Sequence, residues 1–269
     1  MKVLIVTPSQ KLMGGVTFYY KGLETYWSNN VVYITYGRRP NIPAIWCLIP
    51  DLIVYIYKLL SYRPDVVIVN PSLRPYQLKR DGFYLLLAHW MKKKVVSMFH
   101  GWDRLYSKQL EQKPNKYIRW FNKSSFIYVL CSDFKNALTR MGITAPIMLT
   151  TTEVYNCLVE DYDNSQRMGN IRNLLFLARI DKRKGIYETI DTFALLKQKY
   201  PYLILNVCGD SNDKQFVQDV KNYVAKSNIK DIVFHGAVYG KKKTQAFKDN
   251  DLYILPTYEE GMATSQLEA

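Results

Sequence analysis

The sequence predicts an α/β protein built from two doubly wound parallel-sheet domains, and three observations carry that expectation. Short β-branched runs recur along the 269 residues without alternating polarity, the mark of strands covered on both faces. Stretches with helical spacing lie between them. The alternation lapses once into polar residues, over 150–173, and then restarts. At roughly 100–200 residues per domain, the length accommodates two units. The boundary is expected near residue 165, giving domains 1–165 and 166–269.

In the first domain, strands are expected at 3–7, 31–35, 66–69, 95–99, 126–131 and 147–149. Leu52, Ile53, Ile56, Leu59 and Leu60 fall at helical spacing behind Asp51, whose carboxylate would favour a helix start. Residues 76–91 and 133–141 read as helices, the latter closing at Gly142, a fitting residue after a helix end. The second domain continues with strands at 174–178, 203–208, 232–235 and 252–255. Helices are expected between them at 187–200, 216–226 and 244–248. It ends on Gln266-Leu267-Glu268-Ala269, the opening of a further helix, so the second domain is expected to be incomplete. Open sheets of this kind bind ligands at the carboxyl ends of their strands, which is where chemistry is sought.

Composition narrows the function classes. The chain is 48% hydrophobic and nowhere low in complexity, which excludes global disorder. Cys47, Cys131, Cys157 and Cys208 stand singly, as in a reducing cytosol, and the expected localisation is cytoplasmic. Three widely spaced histidines give no zinc signature. Residues 42–60 are the most apolar segment but contain Asp51, Lys58, Pro43 and Pro50; they predict a buried or interfacial helix, not a membrane span. Residues 1–160 hold 21 Lys+Arg against 9 Asp+Glu, and residues 161–269 hold 16 against 14. Residues 1–160 therefore carry +12 of the +14 net charge, predicting an anionic partner there or simply a solvated face.

Four segments carry candidate chemistry. Gly14-Gly15 in the first strand-to-helix turn leaves backbone N–H groups open to an anion, although a plain turn accounts for the pair equally well. Neither G-x-G-x-x-G nor a P-loop occurs, so dinucleotide redox chemistry and Walker-type hydrolysis lack support. His100-Gly101 follows the fourth strand, where a structural role and a ligand contact stand level. Arg179 and Lys184-Gly185 bracket a cationic loop between strand and helix, suited to a diphosphate; Lys182 and Arg183 read as its solvated part. Last, Glu260 in a loop and Glu268 in the next helix are separated by about a sugar-plus-diphosphate length. The amides around Gly261, Met262, Ala263 and Thr264 lie between them.

These segments resemble the retaining glycosyltransferases of family 4, which have the GT-B architecture of two Rossmann-like domains facing across a cleft. Glu260 and Glu268 match that family's E-x7-E motif, Arg179 with Lys184-Gly185 its R-x4-K-G loop, and Gly14-Gly15 and His100-Gly101 its first-domain loops. Met262-Ala263 departs from the more usual Phe-Gly, and the family's last helices are missing. The resemblance implies transfer of a hexose-type sugar from a UDP- or GDP-sugar to a glycan or lipid-linked acceptor, with no cofactor. Under it, Arg179 and Lys184 neutralise the diphosphate, Glu260 bonds sugar hydroxyls and Glu268 bonds the ribose. Gly15 and the amides near Gly261 assist the phosphates, His100 meets the sugar near the anomeric centre, and Gly209-Asp210 lies near the base.

A metal is not expected, because Asp161-Tyr162-Asp163 falls in the linker and Asp249-Asn250-Asp251 straddles a helix end and a strand start. Basic clusters with Tyr55, Tyr57, Tyr76 and Trp90 suit an anionic membrane surface, or a solvated face over core tyrosines. Nucleic-acid binding would explain the charge but leave Glu260, Glu268, Arg179 and Lys184 without a role, and no RRM, KH or helix-turn-helix pattern occurs. The alternative is a degenerate or truncated fold that binds nucleotide sugars or anionic surfaces without turnover.

Overall fold

The runs that lack alternating polarity form parallel strands, some central and some at the sheet edges. The computed structural model describes residues 1–9, 14–27, 30–37, 39, 43–154, 169–258 and 260–269. The chain divides into one unit over Met1–Glu153 and a second over Val154–Ala269. The boundary expected near residue 165 lies outside the described residues.

The first unit runs β1 (Val3–Thr7), α1 (Gly15–Leu23), β2 (Val31–Thr35), α2 (Ala44–Ser61), β3 (Val66–Val69), β4 (Ser72–Leu73), α3 (Pro75–Trp90) and β5 (Lys94–Phe99). It continues with β6 (Gly101–Trp102), α4 (Arg104–Gln112), α5 (Lys116–Arg119), β7 (Phe126–Val129), α6 (Ser132–Arg140) and β8 (Ile147–Leu149). Six strands form a parallel sheet in the order β2-β1-β3-β5-β7-β8, while β4 and β6 pair separately. All five residues of β1 are buried. Leu4 and Val6 pack into one layer with Tyr55 and Leu59 of α2 and Tyr84 and Leu85 of α3. Val3 and Ile5 pack into the opposite layer with Tyr20 of α1.

The second unit runs β9 (Asn173–Leu177), α7 (Ile186–Lys199), β10 (Ile204–Cys208), α8 (Lys214–Lys226), β11 (Ile232–Gly236), α9 (Lys241–Lys248), β12 (Leu252–Tyr253) and α10 (Thr264–Glu268). Its parallel sheet has the order β11-β10-β9-β12. Leu174 and Phe176 face Ile190 and Phe193 of α7, whereas Leu175 and Leu177 face the layer containing Phe247 of α9. Both sheets are doubly wound, as expected.

Strand order locates the ligand-binding edge in each unit. The first sheet reverses direction between β1 and β3, the second between β9 and β12, and a crevice at the strand carboxyl ends opens at such a switch point. The loops leaving β9 and β12 carry the two motifs of the second unit, and the loop leaving β1 carries Gly14-Gly15.

The helix expected within residues 42–60, as a buried or interfacial one, is α2, and only the reading of Asp51 as a helix start needs correction. The helix begins at Ala44 and continues through Pro50, so Asp51 is interior, not at a helix N-terminus. Its buried carboxylate accepts the Gly37 N–H (2.8 Å) and pairs with Arg39. A tertiary partner explains this aspartate, and the helix dipole does not. The triplet Asp161-Tyr162-Asp163 and Cys157 lie outside the described residues. In Asp249-Asn250-Asp251, the Asp251 carboxylate accepts the N–H groups of Arg172 (2.9 Å) and Asn173 (2.8 Å), latching the start of β9.

Candidate active site

In the second unit, the loop after β9 is shaped by Asp181, whose carboxylate caps the turn 182–184 through the Arg183 N–H (2.9 Å) and grips the Arg183 guanidinium (3.0 Å). That contact holds the Asp181 carboxyl below its ordinary range. Arg183 is thus a structural cation, while Arg179 stands exposed just beyond the end of β9. The turn ends at Gly185, in the left-handed region (φ 74°), where a Cβ would lie 2.2 Å from the Pro256 carbonyl oxygen. Only glycine satisfies both conditions.

This close approach brings the two motif loops together. The Arg183 carbonyl accepts the Tyr258 N–H (2.9 Å) and the Thr257 hydroxyl (3.2 Å), and the Tyr258 hydroxyl donates to Glu188 (2.7 Å). Lys184 pairs with Glu260 across the junction, both side chains being partly buried. Eight residues on, Glu268 is almost fully buried and pairs with Lys243 of α9. Each carboxylate of the expected motif therefore has a lysine partner. Tyr253 ties β12 to α10 by donating to the Ser265 hydroxyl (2.7 Å); burial pushes its phenol up to about 12. Gly261 and Met262 are half-buried and Ala263 is buried, in the turn that leads into α10.

A cavity of about 340 Å³ opens beside β10 and β11, lined by Gly209, Asp210, Lys214, Lys221 and Phe234 among others. Gly209 is sterically required, because a Cβ there would lie 1.9 Å from the Ala178 carbonyl oxygen. Asp210 pairs with Lys214 (2.5 Å), which holds its carboxyl below the usual range. Among the described residues, no group of three or more His, Cys, Asp or Glu is placed to hold a metal ion.

In the first unit, His100 sits at the end of β5 beside the switch point, and Asn70 organises its surroundings. The Asn70 amide nitrogen donates to the Val6 carbonyl (2.9 Å), so its Oδ1 is the acceptor. The Tyr20 hydroxyl (2.8 Å) and His100 Nε2 (3.0 Å) both converge on that oxygen. The network thereby assigns the proton to Nε2 and leaves Nδ1 with its lone pair. Burial lowers the imidazole pKa to about 4, so the ring is neutral at physiological pH. Gly101 packs against Ser72, whose Oγ would lie 2.5 Å from an added Cβ. Gly14 and Gly15 differ. Gly14 has an extended φ of −176°, and nothing described lies within 4 Å of a Cβ at either position.

Residues 162–269 match the family model for glycosyl transferases group 1. The match spans almost the whole second unit. A 41.2 kDa protein of the cps region of Klebsiella pneumoniae is 24% identical over 262 residues, covering 91% of this chain and 67% of that protein. The glycosyltransferase MJ1069 of Methanocaldococcus jannaschii is 24% identical over 220 residues, covering 77% of this chain and 55% of that protein. Among solved structures, Anabaena Alr3699/HepE in complex with UDP and glucose aligns with all of this chain and 78% of its own, at TM-score 0.73 and 12% identity. A glycosyltransferase from Rickettsia africae aligns with 99% of this chain and 76% of its own, at TM-score 0.71 and 15% identity. The structural likenesses show the GT-B fold, and together the comparisons support a glycosyltransferase.

Sequence reasoning singled out Arg179, Lys184, Gly185, Glu260 and Glu268. It missed Lys243, Tyr253 and the Tyr258–Glu188 tie in the second unit, and Asn70 with Tyr20 in the first. A lysine on a polar helix and an asparagine after an apolar strand carry no local signal. Their partners are set by strand order.

Proposed function

We propose that this chain is a retaining glycosyltransferase that moves a hexose-type sugar from a UDP- or GDP-sugar to an acceptor hydroxyl without a metal ion. The observation that carries the reading is the junction at the second switch point, where the Arg179–Gly185 loop and the Glu260 loop are stitched together and Lys184 meets Glu260. Support for the donor class comes from HepE, whose structures were determined with UDP and with UDP-glucose.

The chemistry follows from where charge develops. As the glycosidic bond breaks, its electron pair goes to the diphosphate oxygen, and a fixed cation there stabilises the transition state more than the ground state. Arg179 and Lys184 take that role. Glu260 exchanges part of its lysine contact for sugar hydroxyls, and Glu268 accepts from the ribose. The cavity beside Gly209 receives the base. Among the described residues nothing packs against a Cβ at Gly14 or Gly15, which suits close approach by an anion. His100, neutral and with Nδ1 able to accept, contacts the sugar near the anomeric centre. The acceptor hydroxyl attacks from the face the leaving group vacates, and its proton passes to a donor phosphate oxygen. The acceptor is a glycan or lipid-linked saccharide, with the basic first unit facing an anionic membrane surface.

A thermal-shift screen over nucleotide sugars, paired with an assay of released nucleoside diphosphate, tests this. A stabilising UDP- or GDP-sugar that is also turned over is the expected result. Stabilisation by no nucleotide sugar contradicts it.

A further inference from the structure

The outer face of α2 has the wrong chemistry for water. Cys47, Asp51, Tyr55 and Leu59, four residues apart, are buried against the sheet, whereas Trp46, Ile49, Ile53, Tyr57 and Leu60 recur at three- and four-residue spacing on the opposite side. Trp46 is 75% exposed, Ile49 72% and Ile53 62%. A surface helix ordinarily turns charged residues outward. Here the only Asp, Glu, Lys or Arg residues of α2 are Asp51, buried and paired with Arg39, and Lys58, to one side.

The neighbouring helix extends the patch. Tyr55 of α2 donates to the Tyr84 carbonyl of α3 (2.9 Å), which fixes the two helices side by side. On α3, Tyr76, Phe83 and Trp90 point outward at seven-residue spacing. Large apolar and aromatic side chains exposed together on neighbouring helices mark an interaction site.

Charge decides what covers it. Residues 44–94 hold eight Lys+Arg and three Asp. Asp51 and Asp81 are buried, and the Asp65 carboxylate accepts the Lys2 N–H. What the two helices show to solvent is therefore apolar, aromatic and cationic, with exposed Lys79 between Tyr76 and Phe83 and with Lys92 and Lys94 beside Trp90, and the one exposed carboxylate of this segment is Asp65, in the loop after α2. A second copy of the chain would set those like charges against each other, whereas an anionic bilayer pairs with them. No described helix is long and apolar enough to cross a membrane.

We infer that the α2–α3 face docks on an anionic lipid bilayer, with α2 lying in the plane of the headgroups and its apolar side chains inserted. The inference rests on the membrane-surface part of the function proposed above, and names the face that makes the contact.

Flotation of the full chain with phosphatidylcholine vesicles, with and without phosphatidylglycerol, tests it, together with the variant Ile49→Ser/Ile53→Ser. Both positions are outward, so circular dichroism and Tm should not change. Wild type is expected to float only with the anionic vesicles, and the variant to partition about tenfold less or worse. Tryptophan emission should shift to the blue on binding in wild type alone. If wild type floats and the folded variant floats equally, the face is wrong while membrane binding stands. If wild type floats with neither vesicle, membrane binding itself fails; a dimer in ultracentrifugation that the variant dissociates would then assign the face to a second copy. Equal flotation on neutral vesicles overturns the electrostatic part. Donor binding, measured separately, bears on none of these outcomes.

Discussion

Gly185→Ala probes the junction between the two motif loops, and its cost follows from two separable features. The residue sits at φ 74°, and its Cβ would lie 2.2 Å from the Pro256 carbonyl oxygen and 2.8 Å from the Pro256 carbonyl carbon. The left-handed conformation costs alanine about 1–2 kcal/mol. Relieving the overlap requires the Pro256 backbone to move by about an ångström, an overpacking cost of about 1–3 kcal/mol. The expected loss is thus about 3 kcal/mol. Two controls in the same unit separate the terms. Gly236→Ala, at φ 72° with nothing within 4 Å, carries the conformational cost alone. Gly209→Ala, with its Cβ 1.9 Å from the Ala178 oxygen and no positive φ, carries only the steric one. Urea unfolding of the three variants supplies the assay. A Gly185→Ala loss no larger than that of Gly236→Ala would refute the claim that the loops are in backbone contact.

Three further outcomes are expected. With the His100 pKa near 4 when folded and about 6.5 when unfolded, the unfolded chain binds the extra proton between those values. Stability contributed by the neutral ring is therefore complete above pH 6.5 and lost as pH falls towards 4, by about 3 kcal/mol; chemical denaturation of His100→Gln across that window should lack this acid limb. Asn70→Leu removes the acceptor shared by Tyr20 and His100 and should cost about 1–3 kcal/mol, with nitrogen NMR showing the imidazole no longer held as the Nε2–H tautomer. Glu268→Ala removes the buried carboxylate that pairs with Lys243 and should destabilise the second unit in thermal unfolding, while Lys243→Met/Glu268→Met recovers most of the loss.

Much of the fold was legible because it rests on local pattern. The runs at 3–7, 31–35, 66–69 and 147–149 became strands over those residues, since β-branched stretches between turn residues have few alternatives. The start of α2 was misread because Asp51 beside Pro50 imitates a helix opening; its real partners, Gly37 and Arg39, come from the loop after β2. The two-residue strands β4 and β6 are too short for any periodicity. In the candidate site, loops with paired glycines and cations were visible, whereas Lys243 and Asn70 acquire meaning only when the strand order places α9 beside α10 and β3 beside β5. The apolar character of α2 was also visible in the sequence, but not which of its faces is left uncovered.

Calorimetric titration of UDP and GDP into wild type and Lys184→Ala, both in excess EDTA, tests the central claim most directly. Wild type is expected to bind one of the two nucleotides despite the chelator, and Lys184→Ala to bind it about 10–100-fold more weakly, the loss of one charged contact. Binding that disappears with EDTA, or that Lys184→Ala leaves within twofold of wild type, would contradict it.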